Sequence, residues 1–132
     1  MGEAMHPAVT YLIYIVSALV MLGVFTAVYT AVTRYKEFDL VREGNIAAAM
    51  SYGGALVGFS LTLASSIAIH ASFVMFLVWG VAAMVVQIVV YVVVANAIRG
   101  MNDAIVENNI AMGGLLGAIS LAAGIVNAAC LT

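Results

Sequence analysis

Ten charged residues interrupt this chain, and nine of them fall in two short segments, Arg34–Glu43 and Arg99–Glu107; the tenth is Glu3. With His6 and His70 also treated as breaks, four charge-free stretches remain. They are residues 7–33, 44–69, 71–98 and 108–132, of 27, 26, 28 and 25 residues. A helix needs roughly 20 apolar residues to cross the hydrocarbon core of a bilayer, so each stretch spans once with some tilt and none spans twice. The runs are continuous and rich in Leu, Met and Ala, without the alternation of a barrel strand. The chain therefore reads as an all-α integral membrane protein. Its four transmembrane helices are expected at about 8–33, 45–69, 73–97 and 109–130, in a single membrane domain over 1–132.

Composition narrows the function classes. Apolar residues make up 66% of the 132 and charged residues 8%, with a formal net charge of −2. A soluble domain usually runs about 45–50% apolar and about 25% charged. That excludes an ordinary cytosolic enzyme, a disordered segment and a basic nucleic-acid binder, so no nucleic-acid partner is expected. Cys130 is the single cysteine, which rules out an internal disulfide framework and a multi-Cys metal site. No cofactor is expected. The first stretch lacks a basic leader and exceeds a secretory h-region in length, so it is expected to stay in the mature protein.

Orientation follows from the basic residues. Arg34, Lys36 and Arg42 lie between the first and second stretches, and Arg99 between the third and fourth. The positive-inside rule puts both charged loops in the cytoplasm. Both termini and the turn at His70-Ala71-Ser72 are then extracytoplasmic. Tyr11, Tyr14 and Trp79 fall in the outer thirds of their stretches, with Tyr29 and Tyr35 near the inner boundary, as in an aromatic belt.

The chain also repeats itself. Asp39, Glu43, Asn45, Ile46 and Ala47 recur as Asp103, Glu107, Asn109, Ile110 and Ala111, an offset of 64 residues. Gly53-Gly54 matches Gly113-Gly114 at an offset of 60, a slip of about one helical turn. Two tandem hairpins are expected, about 8–69 and 73–130, as a parallel repeat around a pseudo-two-fold along the membrane normal. The second and fourth stretches carry the small residues. Gly54, Gly58, Gly113, Gly117, Ser120 and Gly124 lie at helical spacing, including two G-x-x-x-G pairs that let backbones approach closely. They mark a helix-packing core or a subunit interface. The bulkier first and third stretches suit lipid contact.

The run Glu43-Gly44-Asn45-Ile46-Ala47-Ala48-Ala49, with Gly53-Gly54, Gly58-Phe59, Trp79-Gly80, Gln87, Asn109, Ala111 and the ending Gly124-Ile125-Val126-Asn127-Ala128-Ala129, resembles the family catalogued as domain of unknown function 350. The resemblance runs from about the first helix to the end. It implies a small protein of the bacterial inner membrane, associated with membrane-stress proteins, and no activity to transfer. The family pattern places an acidic residue shortly before the Trp-Gly pair, where this chain reads Phe73-Val74-Met75-Phe76.

The polar residues carry two sets of readings. Asp39, Glu43 and Asn45, with Asp103, Glu107 and Asn109, fit helix capping and dipole complementation. The alternative to that first reading is an acidic cytoplasmic mouth that attracts cations or small solutes. Gln87 stands near mid-membrane, where a buried amide either bonds a neighbouring helix or contacts a solute in a pore. No Asp, Glu, Lys or Arg lies at depth, which argues against a proton pump or ion-coupled carrier. Enzyme motifs are absent, and a non-enzymatic role is expected. Four helices of this length pack their own centre. The first reading is thus a homo-oligomeric structural or accessory protein of the lipid bilayer, with room for an unidentified membrane or cytoplasmic partner. The alternative is a small oligomeric channel or facilitator.

Overall fold

The computed structural model describes residues 6–70 and 72–131. Glu3, Ala71 and the extreme termini, which the sequence reading places on the outer side, lie outside the described residues. Those described are helical throughout, with no strand among them: α1 (Pro7–Val32), α2 (Glu37–Arg42), α3 (Ile46–Ile69), α4 (Phe73–Ala97), α5 (Met101–Val106) and α6 (Ile110–Cys130). Four of these, α1, α3, α4 and α6, are long and apolar enough to cross a membrane. The two short helices are an addition to the expected four. Each is a six-residue segment in a charged loop, anchored by buried side chains: Glu37 in α2, and Met101 and Ile105 in α5.

Both short helices end in the same way. The backbone turns left-handed at Gly44 (φ +86°) and at Asn108 (φ +61°). The next amide then reaches back, Asn45 to the Leu40 carbonyl at 2.9 Å and Asn109 to the Ala104 carbonyl at 2.8 Å. These bonds satisfy carbonyls that a helix C-terminus leaves open. Asn45 and Asn109 are extended and start the next long helices, their Oδ1 atoms accepting from the amides of Ala48 (2.8 Å) and Met112 (3.2 Å). A short polar side chain before an apolar run is the expected N-cap chemistry.

The core is the α3–α6 pair. Contacts advance together along both helices, from Ala47 against Gly113, through Gly54 against Gly117, to Gly58 against Gly124, so the two run parallel. The backbones touch directly: a Cβ added to Gly54 would collide with the Gly117 backbone, and one on Gly113 with that of Ala47. Toward the other end, the Thr62 hydroxyl donates to the Gly124 carbonyl at 3.1 Å and Ser65 to Ala128 at 2.8 Å. Without a hydrophobic drive inside lipid, such close backbone contact and hydroxyl bonds are what hold helices together. Aromatic rings fill the space between α1, α3 and α4: Phe25 stacks on Phe59 at 4.7 Å, and Tyr29 lies 5.3 Å from Tyr91. The outward faces of α1 and α4 expose Leu19, Val20, Val81 and Val85, as surfaces turned to lipid do.

Candidate functional site

The predicted site residues form two groups, one along the α3–α6 contact and one in the charged loops at its start. Gly58, Gly113, Gly117, Ser120 and Gly124 are buried and Gly54 is half-buried, and all six pack within the single chain. Gln87, from the middle of α4, is 1% exposed. Its Nε2 donates to the Ser120 carbonyl at 2.7 Å and to Ala55 at 3.4 Å, while its Oε1 and the Ser120 hydroxyl are buried without partners. The amide thus bridges α4 to both central helices at the level of Gly58.

At the charged-loop end, the asparagines and the acids behave differently. Asn45 is buried, and beyond capping α3 its Nδ2 donates to the carbonyls of Ile105 (2.8 Å) and Val106 (3.2 Å) at the close of α5. Asn108 answers it, its Oδ1 accepting from the Ala47 amide at 3.0 Å. Each junction is therefore tied to the other. Asp39, Glu43, Asp103 and Glu107 are exposed, and none of their side chains caps a helix. Asp39 and Asp103 stand in the first turns of α2 and α5, where a negative charge suits the helix dipole; Glu43 and Glu107 stand at the C-terminal ends of the same helices.

The acid that the sequence reading passed over is Glu37. It is 1% exposed, and neither carboxylate oxygen has a partner at hydrogen-bonding geometry. Around it lie the tyrosines of three segments, Tyr29 from α1, Tyr35 from the loop and Tyr91 from α4; the hydroxyls of Tyr29 and Tyr35 are also buried and unpartnered. Burial raises the Glu37 carboxyl above its ordinary range, with the neighbouring Thr33 hydroxyl and its own backbone amide pulling the other way. Burial likewise pushes the Tyr35 phenol up. An ionised carboxylate in such surroundings is costly, which is the direction of the shift. At the offset of 64 its counterpart is Met101, a buried apolar residue that likewise opens its short helix.

Beside this cluster, Arg34, Asn96, Asn102 and Asp103 line an open cleft of about 200 Å³ between the ends of α1 and α4 and the start of α5. Tyr91 lies on an adjoining hollow of about 130 Å³ and donates to Asn102 Oδ1 at 2.9 Å. Among the described residues no group of His, Cys, Asp and Glu is arranged to hold a metal ion.

Comparison with known proteins points one way. Residues 3–131 match the family described as Domain of Unknown Function (DUF350). The chain is 31% identical over 119 residues to the UPF0719 inner membrane protein YjfL of Escherichia coli (strain K12), covering 90% of each chain, and equally so to the same-named protein of Escherichia coli O157:H7. It is 34% identical over 74 residues to the UPF0719 transmembrane protein YshE of Bacillus subtilis (strain 168), covering 56% of this chain and 55% of that one. No solved structure matches.

Proposed function

The chain belongs to the family described as Domain of Unknown Function (DUF350), and from that premise we propose that it is an oligomeric inner-membrane protein of structural or accessory type. It works without enzymatic chemistry, in the membrane-stress setting that the family resemblance implies. The observation that carries this reading is the closed centre of the protomer. α3 and α6 touch backbone to backbone, and Gln87 fills the level of Gly58 with a direct bond to the Ser120 carbonyl. A hydrated path has no room through such a crossing.

In this reading the two hairpins are a tandem parallel repeat, with the charged loops cytoplasmic and both termini extracytoplasmic. The left-handed residues at matching positions, Gly44 and Asn108, and the matching N-caps Asn45 and Asn109 support the repeat. Because the small residues are consumed inside the protomer, the oligomer contact falls on the outer faces of α1, α4 or α6. A channel is the second reading. The exposed carboxylates of Asp39, Glu43, Asp103 and Glu107 favour it, and its pore would then run between protomers.

The test is mass measurement of the protein in lipid nanodiscs across a concentration series. A stable assembly that survives Gly117→Ala at reduced thermal stability fits an interface away from the α3–α6 crossing. A monomer at every concentration contradicts the oligomer, and dissociation caused by that substitution alone returns the interface to the glycines.

A further inference from the structure

The cleft at the charged-loop end holds two opposite charges that do not neutralise each other. Arg34 and Asp103 line the same 200 Å³ space, both exposed, and neither side chain makes an ion pair or hydrogen bond with another described residue. The amides of Asn96 and Asn102 line the same space. A cation and an anion held apart across one polar cleft complement a ligand that carries both signs at its two ends. A guanidinium suits a phosphate through charge-assisted bonds, and a carboxylate suits a primary ammonium in the same way.

Position decides which zwitterion fits. The cleft sits where α1 and α4 leave their apolar stretches. Arg34, Ala95, Asn96 and Asn102 also line the adjoining hollow, whose further walls are Val32 and Val92. Both valines are 38% exposed on the flanks of α1 and α4. The polar cleft thus adjoins a hollow of mixed polar and apolar lining, edged by exposed valines of the two membrane-crossing helices. A soluble zwitterion uses only the first part. A phospholipid uses both, with its head in the cleft and an acyl chain along the valines.

We propose that this cleft is a binding site for the headgroup of a zwitterionic aminophospholipid, with Arg34 holding the phosphate, Asp103 the ammonium, and Asn96 and Asn102 bonding between them. It assigns Asp103 to a lipid rather than to a permeating ion, and it gives a membrane accessory protein a means of sensing the headgroups around it.

The experiment is native mass spectrometry of the full chain in micelles doped with equal amounts of phosphatidylethanolamine and phosphatidylglycerol. One phosphatidylethanolamine is expected to be retained per protomer in preference to phosphatidylglycerol. Asp103→Asn should reduce that preference by about tenfold, the scale of one charge-assisted bond. Arg34→Gln should lose bound lipid of both kinds to a similar extent, and Arg99→Gln, which changes a basic residue outside the cleft, should alter neither. Both cleft side chains are exposed, and helical circular dichroism on each variant checks its fold. Excess soluble glycerophosphoethanolamine should leave the lipid in place; its displacement of the lipid would overturn the bilayer as the ligand's source. Equal retention of the two lipids by the unsubstituted protein, or a preference unchanged in Asp103→Asn, would overturn the site.

Discussion

The side-chain amide of Gln87 donates to the backbone carbonyl of Ser120 at 2.7 Å, and a Cβ added to Gly58 would lie 2.8 Å from that same amide nitrogen. Three helices therefore depend on one absent side chain. Gly58 leaves the space that lets α4 reach through to α6 with a hydrogen bond. The bond is made in surroundings where the alternative is an unsatisfied polar group, and interhelical bonds of this kind contribute about 0.6–2 kcal/mol in membranes.

Glycines at the crossing should respond unlike glycines elsewhere. Gly54→Ala and Gly117→Ala drive a methyl group into facing backbone and should each cost about 1–3 kcal/mol. Gly23→Ala and Gly53→Ala meet nothing within 4 Å. Relief of glycine's helix penalty should leave them neutral or more stable by about 0.5–1 kcal/mol. Thermal unfolding of the four variants in detergent reads the difference. Equal melting temperatures would contradict the α3–α6 contact.

Asn45 and Asn109 cap equivalent helices yet should differ in weight. Asn109→Ala removes one cap bond, worth about 1 kcal/mol. Asn45→Ala removes a cap bond and also the two bonds to the Ile105 and Val106 carbonyls, from a buried position, and should cost about twice as much. Denaturant titration of the two variants measures the ratio. A larger loss for Asn109→Ala would contradict the coupling between junctions.

Stability should fall with rising pH on account of Glu37. Its folded carboxyl value is raised by burial, so the folded state binds the proton more tightly than the unfolded chain does. The stabilisation is complete below the ordinary carboxylate range and is lost as pH climbs through the raised value. Melting curves between about pH 4 and about pH 8 should show this decline. Glu37→Gln, which carries no charge, should flatten it and raise the melting temperature at the upper end; Glu43→Gln, at an exposed acid, should leave the slope in place. An unchanged slope in Glu37→Gln would place the pH dependence elsewhere.

Topology is testable at a single natural handle. Cys130 is the only cysteine in the sequence and is exposed near the end of α6. With the charged loops cytoplasmic, a membrane-impermeant maleimide added to spheroplasts should label it without permeabilisation. Labelling only after lysis would invert the protein in the membrane.

The number and type of the long helices were legible because lipid imposes a strong rule. Every backbone group must be satisfied within its segment, and charge cannot enter cheaply, so the charge-free runs announce the helices. The small residues of α3 and α6 were legible as a contact for the same reason. Whether they join two helices of one chain or two chains is a matter of tertiary arrangement that spacing does not encode. The short helices α2 and α5 escaped notice because six residues among charges show no usable period. Glu37 was hidden by its company: five other charged residues share its loop, Arg34, Lys36, Asp39, Arg42 and Glu43, and only packing reveals which of them turns inward. The cleft joins residues of the first and second loops, Arg34 with Asp103, and no local pattern predicts such a meeting.

Whether a molecule sealed at its core serves a structural or accessory role rather than a conducting one is decided by flux. The protein would be reconstituted into liposomes carrying reporters for monovalent cations, protons and osmotic solute exit. Protein-free vesicles and the Glu43→Gln/Glu107→Gln double variant would run beside it. Permeability equal to that of empty vesicles, from protein shown to be folded and assembled, is the predicted result. A flux above that level which disappears in the double variant would contradict the claim and establish an acid-lined pore between protomers.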